Sequence, residues 1–435
     1  MDIAQYARWF RSSTPYIQAH RGRTFVILLP GEALDAPNLV NIVHDIALTQ
    51  VLGARVVLVH GARPQLDAAL GHSERRGTRR VTRSEDLPQL MQVYGELRSR
   101  LEALFSTGLP NTPLHGTDIS IATGNLAVAK PVGIVDGVDH QFTGQVRQVH
   151  RERVNALLGT GAIVLMSPIG YSPSGQMFNL PSDELAAATA LAIGADKLIV
   201  LDEPTRLPDE NGETQSLLSP AALEASIDHG RLPEATLNRL RAVAGAVRGG
   251  IPRAHVVTYQ EDGALLAELY TAGGHGTQIS ERAQTPIRAA NADDIAGIAE
   301  LIRPLEEQGV LVRRSRDRLE AEVEHFMVAV LDGIVIGCCA LFPYGSAAEL
   351  ACVAVHSSYR NQSNHGSNGI GRQLLAFAEE QARSQQIDTL FALTTQTQDW
   401  FAEQGFSQSS PEQLPAPKQA LYNYQRNSKV MRKVL

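Results

Sequence analysis

A short glycine-bearing segment, Gly369-Ile370-Gly371, lies between an apolar run and an amphipathic stretch in the last third of the chain. The apolar run, residues 350–355, predicts a strand, and residues 372–383 predict a helix. A loop between a strand and a helix can bind an anion, because the N–H groups at the helix start are free and the helix dipole is positive there. Glycine also lets the backbone approach a pyrophosphate without a Cβ in the way. On its own, such a loop is more often an ordinary turn than an anion site. Whether this loop binds an anion must therefore be judged from the elements around it.

Two basic segments offer a different kind of anion recognition. Residues 311–316 contain Arg314 and Arg316, and residues 424–429 contain Arg426 and Ser428. Arginine forms bidentate pairs with carboxylates, so two separated arginine groups suit a substrate that carries two carboxylates. The alternative is that these segments are basic surface helices whose charges are compensated by nearby glutamates.

The elements that must position these residues begin after Pro286, which we place at a domain boundary. Residues 295–302 predict a helix that starts after two aspartates. Residues 326–331 and 334–341 predict a hairpin, because the Asp-Gly pair between them supplies the positive φ angles of a tight turn. The glycine loop therefore follows three consecutive strands, and a further strand is expected at residues 390–394.

The first two thirds of the chain show another pattern. Apolar runs without polar alternation alternate with helical stretches, one of which runs from residue 35 to 52. Such strands suit a parallel sheet that helices cover on both faces, so this part is predicted to be α/β. Residues 1–20 predict a separate amphipathic helix that Ser12 to Pro15 should end. The apolar runs are residues 25–29, 56–60, 163–167 and 197–201.

Composition narrows the class of function. The chain has 435 residues and a formal charge of -7, which disfavours a nucleic-acid binder and favours a small-molecule enzyme. No apolar run is long enough for a membrane span and the N-terminus lacks signal-peptide features, so we expect a cytoplasmic protein. The spacing of Cys338, Cys339 and Cys352 fits no metal site and indicates buried thiols in a reducing compartment. No metal is expected.

The last third resembles the GNAT acetyltransferase superfamily. The resemblance covers residues 286–435 and rests on the strand order, the glycine loop, and Gly405-Phe406 after a short helix. It implies an α+β domain that binds acetyl-CoA and transfers the acetyl group to an amine. The acetyl-CoA contacts that it implies fall on Ala351, Cys352, Val353, Gly366, Gly369, Ile370, Gly371 and Arg372.

The same resemblance assigns catalytic roles. Backbone amides of a splayed strand around Cys352 would orient the thioester carbonyl and stabilise the oxyanion. Glu349, at the predicted start of that strand, would be the general base acting through water, the alternative being an ordinary solvated side chain. Two positions depart from the family pattern. Gly366 replaces a Gln or Arg, and Phe401 stands where a Tyr often protonates the thiolate. The acid is then another residue, with Tyr422 as one candidate, or water.

Over its whole length the chain resembles the bacterial N-acetylglutamate synthases, in which an amino-acid-kinase-like domain precedes a GNAT domain. The two basic segments carry this resemblance together with residues 301–306, 349–355 and 393–395. It implies acetyl transfer to the α-amine of L-glutamate, the first step of arginine biosynthesis. Arg314 or Arg316 would bind one glutamate carboxylate, and Arg426 with Ser428 the other.

The front domain, residues 21–280, resembles N-acetylglutamate kinases but lacks their phosphate-binding groups. Working kinases carry a Lys in the first strand, where this chain has Leu28. They also carry a loop of three glycines and a proline, of which only Gly61 and Pro64 remain. Pro30 removes a further backbone donor. We therefore expect phosphoryl transfer to be lost.

Arginine-sensitive relatives of both families share a pattern that this chain repeats, so the front domain is expected to bind L-arginine as an allosteric effector. A buried glutamate is a good partner for a guanidinium, and glycines would let backbone carbonyls reach the ligand. The alternative is a strand end followed by a plain glycine turn. The expected effector-site residues are Tyr16, Lys197, His255, Glu268, Gly274 and Gly276.

In such relatives the N-terminal helix exchanges between subunits, so the resemblance implies a homo-oligomer, with a hexamer as one candidate form. The apolar stripe of residues 1–20 could equally pack on its own domain. Two alternatives to a regulated glutamate acetyltransferase stay open at this point. One is a bifunctional synthase and kinase, and the other is a non-catalytic arginine sensor.

Overall fold

The computed structural model describes residues 3–435 except 72–73, 77–78, 109–110, 204–205, 209–213, 229–231, 272–273, 282–286, 332, 357–368, 421 and 424–427. The chain divides into two compact units, Met1–Ala283 and Gln284–Leu435. The division falls just before Pro286.

The first unit is a three-layer arrangement of helices and strands. Its helices are α1 (Ile3–Ser12), α2 (Thr14–His20), α3 (Gly31–Leu34), α4 (Leu39–Val51), α5 (Arg63–Leu70), α6 (Leu87–Phe105), α7 (Arg151–Gly159), α8 (Ser182–Ile193), α9 (Pro220–Asp228), α10 (Glu234–Arg248) and α11 (Ala264–Tyr270). Its strands are β1 (Thr24–Leu29), β2 (Arg55–His60), β3 (Arg75–Arg76), β4 (Arg79–Arg80), β5 (Ile121–Ala122), β6 (Ala127–Pro131), β7 (Ile134–Val135), β8 (Val138–Asp139), β9 (Gly144–Val149), β10 (Ile163–Met166), β11 (Ile169–Tyr171), β12 (Met177–Asn179), β13 (Lys197–Asp202), β14 (Leu207–Pro208), β15 (Thr214–Gln215), β16 (Leu217–Leu218), β17 (Ala254–Thr258) and β18 (Thr277–Ile279).

The central sheet of this unit has the strand order β16-β18-β17-β13-β1-β2-β10-β5. β1 lies in the middle, pairs in parallel with β13 and β2, and is buried along its whole length. Val26 and Leu28 belong to the core on one face, whereas Phe25, Ile27 and Leu29 belong to the core on the other. Consecutive strand residues point to opposite faces, so an unbroken apolar run fills both cores. The predicted parallel-rich sheet between helical layers is confirmed.

Two local predictions for this unit were wrong in detail. The N-terminal segment forms two helices, because α1 ends at Ser12 and α2 begins at Thr14 with Pro15 in its first turn. Proline is tolerated there, since first-turn N–H groups have no acceptor within the helix. The helix predicted for residues 35–52 begins only at Leu39. Pro37 explains the delay, because a proline disfavours helical geometry in the residue before it.

The second unit contains a seven-stranded sheet of order β19-β20-β21-β22-β23-β25-β24, whose β22–β23 pair is parallel. Helices α12 and α14 pack on opposite faces of this sheet. The strands are β19 (Ile287–Ala289), β20 (Phe326–Leu331), β21 (Ile334–Tyr344), β22 (Ala347–Val355), β23 (Thr389–Thr394), β24 (Ser407–Ser409) and β25 (Lys429–Val434). The helices are α12 (Ile295–Glu307), α13 (Arg316–Ala321), α14 (Ile370–Ser384), α15 (Gln398–Glu403) and α16 (Ala416–Gln419).

The predicted elements of this unit are present, with different ends. α12 continues to Glu307 although it contains Pro304. Burial of Leu301, Ile302 and Leu305 on one side of the helix offsets the backbone hydrogen bond that proline removes. β22 begins at Ala347, so Glu349 is its third residue and not its first.

Candidate active site

The parallel pair β22–β23 separates at the end of the sheet where the substrate was predicted to bind. Its ladder ends with Glu349 opposite Phe391. Both strands continue past that pair, β22 to Val355 and β23 to Thr394. Two strands that diverge leave a gap in the sheet between them, which is the splayed geometry expected from the sequence.

A β-bulge in β22 redirects the backbone beside this gap. Ala351 lies opposite Ala340 and Ala354 lies opposite Cys338, so Cys352 and the residue after it share one partner position on β21. Cys352 has a φ of 52°, which non-glycine residues adopt rarely. A bulge takes peptide groups out of the ladder and reorients them. Peptide N–H groups at such a point can bind a carbonyl oxygen.

The glycine loop leads directly into the first turn of α14, which is the arrangement of an anion site at a helix N-terminus. Gly369 is the extended N-cap residue, and α14 begins at Ile370, two residues before the predicted start. Gly371 therefore lies in the first turn, where N–H groups have no acceptor within the helix. A Cβ at Gly371 would lie 3.3 Å from the Trp400 ring, so packing also favours glycine there. Arg372 donates to the Gln404 side chain at 3.0 Å, and Gly366 lies outside the described residues.

Glu349 is neither exposed nor solvated, contrary to the alternative considered from the sequence. The residue is 7% exposed, and its Oε2 accepts from the Lys418 ammonium at 2.6 Å. Lys418 lies on α16, and its side chain is also mostly buried. The predicted base is therefore a buried carboxylate held by one cation. Sequence reasoning missed Lys418, because its partner Glu349 lies far away in the sequence.

The structure separates the two arginines between which the sequence could not choose. The Arg314 side chain is 10% exposed, and its Nε lies 3.7 Å from Oε2 of Glu322. Neither of these two atoms has a hydrogen-bond partner within the described residues. Arg316 is 77% exposed and pairs with Glu320 along α13. Both arginines thus have a glutamate partner, but Arg316 is an exposed surface residue, whereas the Arg314 guanidinium is buried and its Nε has unused capacity to donate.

Arg314 and Glu349 both act electrostatically on the bulge. Burial raises the pKa of the Cys352 thiol to about 11, Arg314 opposes that rise, and Glu349 adds to it. Glu349 and the bulge both lie on β22. The candidate site therefore combines a cation, a base and redirected peptide groups.

The second predicted carboxylate-binding segment reaches the same end of the sheet. β25 begins at Lys429, directly opposite Thr394 at the end of β23, so Ser428 precedes that strand beside the gap. The Ser428 carbonyl accepts from the Tyr422 hydroxyl at 2.6 Å, which ties the segment to this position. Arg426 lies outside the described residues.

A second polar cluster lies in the first unit, where the effector residues were predicted. Lys197 Nζ lies 3.4 Å from His255 Nε2, and His255 Nδ1 lies 2.6 Å from Glu268 Oε1. His20, which sequence reasoning missed, donates from its ring to the Leu269 carbonyl at 2.8 Å. Tyr16 packs against the apolar core beside this cluster. The structure therefore brings most of the predicted effector residues together on α2, β13, β17 and α11.

Burial controls the protonation of this cluster. It lowers the pKa of Lys197 to about 7, with a further lowering by the Arg253 charge. Burial and Lys197 lower the pKa of His255 to about 4. Burial alone would raise the pKa of Glu268, but the His255 hydrogen bond and charge bring it down to about 2. At neutral pH the glutamate is thus ionised beside an uncharged histidine.

The glycine turn next to Glu268 differs from its predicted role. We expected glycines to bring backbone carbonyls to the ligand, but the N–H groups of His275 and Gly276 donate to Glu268 Oε2 at 2.7 and 2.8 Å. A Cβ at Gly274 would lie 2.6 Å from the same oxygen, and one at Gly276 would lie 2.2 Å from the Val256 carbonyl. The glycines therefore allow the turn to wrap around the carboxylate.

Comparisons with known proteins agree with both units. The amino acid kinase family matches residues 23–219, and the acetyltransferase (GNAT) domain matches residues 322–408. The amino-acid acetyltransferases of Pseudomonas fluorescens and Pseudomonas aeruginosa are each 45% identical to the chain, with 100% of both chains covered. The chain belongs to the amino-acid acetyltransferase family. The crystal structure of N-acetylglutamate synthase from Neisseria gonorrhoeae, complexed with coenzyme A and L-arginine, is 34% identical with a TM-score of 0.82, and 99% of each chain is covered.

Membership of this family confirms the predicted enzyme class, an N-acetyltransferase that takes acetyl-CoA and acts on an amino acid. The GNAT match includes Glu349, the bulge and the start of α14. No helix in the described part of the chain is long and apolar enough to cross a membrane. Within the same residues, no group of His, Cys, Asp and Glu is arranged to hold a metal ion.

Proposed function

We propose that this acetyltransferase moves the acetyl group of acetyl-CoA to the α-amine of L-glutamate and responds to L-arginine bound in its first unit. The observation that carries the proposal is the buried side chain of Arg314, whose Nε has no hydrogen-bond acceptor within the described residues, in the same unit as the buried Glu349 and the bulge at Cys352. Glu322 lies 3.7 Å from that Nε, beyond hydrogen-bond distance, so the guanidinium can still donate to a substrate carboxylate.

The cofactor contacts follow from the strand gap and the helix start. The first-turn N–H groups of α14, with Gly369 and Gly371, would hold the pyrophosphate of acetyl-CoA. The thioester would enter the gap between β22 and β23. Its carbonyl oxygen would accept from peptide N–H groups in the bulge at Ala351, Cys352 and Val353.

Glu349 would accept a proton from the substrate ammonium through a water molecule. The neutral amine then attacks the thioester carbon, a C–N bond forms, and the C–S bond breaks to release CoA thiolate, which takes up a proton. Lys418 supports this role because its ammonium keeps the buried carboxylate paired. Tyr422 is a weaker candidate for the acid, since its hydroxyl already donates to Ser428.

The two carboxylates of glutamate would bind at two sides of the gap. Arg314 is the better candidate than Arg316 for the first, because the Arg314 side chain is 10% exposed and that of Arg316 is 77% exposed. Arg426 and Ser428 remain our proposal for the second. Two carboxylate-binding groups, separated by the length of a glutamate side chain, would select a dicarboxylate with a free α-amine.

The effector proposal rests on the buried Glu268. Its ionised carboxylate, which lies against His255, offers an acceptor for a guanidinium inside the protein. The solved relative from Neisseria gonorrhoeae was crystallised with L-arginine. Coupling to the acetyltransferase unit requires that arginine bind two states of the chain with different affinity.

A cytoplasmic location and a homo-oligomer, with a hexamer as one candidate form, also remain proposals. On α1 the apolar side chains Ile3 and Phe10 are exposed, which supports contact with another copy of the chain.

The reaction is tested by CoA thiol release with a series of amino acids. L-glutamate should be the best acceptor, and L-glutamine should lose about tenfold to a hundredfold in kcat/KM because one charge-assisted contact disappears. Equal rates with the two amino acids, or no release that depends on glutamate, would refute the assignment. The second outcome would leave the non-catalytic sensor.

Regulation is tested by the same assay across a series of arginine concentrations. Glu268→Gln, which keeps the shape but removes the charge, should abolish the response to arginine, with the rate in the absence of arginine as internal reference. Glu261→Gln is the matched control, because Glu261 carries an exposed carboxylate that pairs with His275. An unchanged arginine response in Glu268→Gln would place the effector elsewhere.

A further inference from the structure

Two of the three buried thiols are neighbours on β21, the strand that pairs with the bulged strand β22. Cys338 and Cys339 are both 0% exposed. Consecutive residues of a strand point to opposite faces, and the two side chains belong to different cores, Cys338 to that of α12 and Cys339 to that of α14. Neither thiol belongs to the groups that bind acetyl-CoA or the amino acid in the proposed function.

Cys338 contacts the bulge directly. It pairs with Ala354, which lies just past the bulge on β22, and its Sγ donates to the carbonyl oxygen of Cys352 at 3.5 Å. A thiol is a weak donor, but a hydrogen bond in the protein interior is strengthened by the low local dielectric. One of the two neighbouring thiols therefore holds a peptide group of the bulge.

The protonation of Cys338 suits this role. Burial raises the pKa of the Cys338 thiol well above its ordinary value, and the Cys352 and Cys339 thiols add to that rise. A nucleophilic cysteine acts as the thiolate, so at neutral pH Cys338 is unsuited to covalent chemistry. Its proton stays in place and remains available for the hydrogen bond.

The carbonyl that Cys338 holds belongs to the same rigid unit as the N–H group of Val353. A trans peptide group is planar, so the C=O of Cys352 and the N–H of Val353 point in opposite directions and turn together. Cys352 also has a φ of 52°, which costs energy in a non-glycine residue and persists only where the surroundings hold it. A donor to the carbonyl therefore fixes the direction of the N–H on the other side of the unit.

We propose that Cys338 is a positioning residue whose thiol orients the Val353 N–H for the thioester carbonyl of acetyl-CoA. This inference rests on the proposed function, in which peptide groups of the bulge bind that carbonyl. The carbonyl oxygen gains negative charge as the amine attacks, and donors that are already oriented stabilise this charge without a cost of reorganisation. Cys338 then acts on the transition state and not on the affinity for acetyl-CoA.

Alanine substitutions at the two neighbouring cysteines test this role in the full chain. Cys338→Ala removes the donor to the bulge. Cys339→Ala is the matched control, because it removes an equally buried thiol that donates at 3.8 Å to the Leu374 carbonyl in α14. Both changes delete one buried sulfur atom, so effects of packing alone should be similar. Cys338→Ser keeps a donor at the same position.

The values of kcat and KM are measured by CoA release with the best amino-acid acceptor of the wild-type chain, and thermal unfolding shows that each variant is folded. Cys338→Ala should lower kcat by about three- to tenfold, because one hydrogen bond that orients the oxyanion donor is lost. Its KM for acetyl-CoA should change by less than about twofold. Cys339→Ala should keep kcat within about twofold of the wild-type value. The kcat of Cys338→Ser should lie between those of the wild type and Cys338→Ala.

Equal kcat values in the two alanine variants would overturn the positioning role, as would a Cys338→Ser variant that is no more active than Cys338→Ala. A higher KM for acetyl-CoA in Cys338→Ala without a lower kcat would also overturn it. Each of these results leaves the acetyl transfer by the wild-type chain intact. Absence of wild-type turnover with every amino acid would refute the proposed transfer itself, and the role of Cys338 with it.

Discussion

Replacement of Arg314 by Gln is the most informative single change in the acetyltransferase unit. The side chain of Arg314 is 10% exposed, and its Nε has no hydrogen-bond acceptor within the described residues. A bidentate contact with a glutamate carboxylate would therefore be made in a site where little water competes. Two charge-assisted hydrogen bonds in such a place contribute about 2–4 kcal/mol, which corresponds to a loss of about 30- to 700-fold in kcat/KM for L-glutamate.

The chain supplies its own control two positions away. Arg316 is 77% exposed and pairs with Glu320 on the surface, so Arg316→Gln should change kcat/KM by less than about twofold. Both variants are assayed by CoA release at varied L-glutamate with saturating acetyl-CoA, and the KM for acetyl-CoA should stay near the wild-type value in each. A larger loss in Arg316→Gln than in Arg314→Gln would refute our choice between the two arginines. Equal and small losses would show that neither binds the substrate.

Three further predictions concern buried ionisable side chains. Glu349→Gln removes the proposed base while keeping its shape, so kcat should fall by about 10²- to 10⁴-fold with the KM for acetyl-CoA little changed; an unchanged kcat would eliminate that role. Lys418→Met leaves the Glu349 carboxylate buried without its cation, so urea unfolding should show a loss of about 1–3 kcal/mol together with a lower kcat. Lys418→Arg should recover much of both, and a fully stable and active Lys418→Met would contradict the pairing. Burial lowers the pKa of His20 from 6.5 to about 3, so the unfolded state binds a proton that the folded state does not in this range. Stability should therefore fall as pH drops from 6.5 toward 3, by on the order of 1.4 kcal/mol per pH unit from this group, and urea unfolding of His20→Phe should show a shallower slope; equal slopes would show that His20 does not contribute.

The sequence was sufficient for features that follow from local patterns. The apolar run of β1 predicts a doubly covered parallel strand, and the Asp-Gly turn before β21 predicts a hairpin, because both depend on neighbours along the chain. The splayed strand around Cys352 could be predicted only through the family resemblance, and the bulge in it was not predicted. Element ends were less predictable, since burial extends α12 past Pro304.

Contacts between distant parts of the chain could not be predicted from the sequence. Lys418 pairs with a residue 69 positions earlier, and His20 bonds to Leu269 across 249 positions. Neither lysine nor histidine carries a local signal of such a partner. The difference between Arg314 and Arg316 is likewise one of burial, which depends on how α13 and the preceding loop fold back. The sequence identifies the residue types at the candidate site, and packing decides which of them is buried.

Acetyl transfer from acetyl-CoA to the α-nitrogen of L-glutamate is tested most directly by isotope-edited NMR. The chain is incubated with acetyl-CoA carrying a ¹³C carbonyl and with ¹⁵N-labelled L-glutamate, and released CoA thiol is measured in parallel. We expect N-acetylglutamate with a ¹³C–¹⁵N amide bond, formed in the same amount as the released CoA thiol. Thiol release without that amide, or no reaction with glutamate at all, would contradict the proposed transfer.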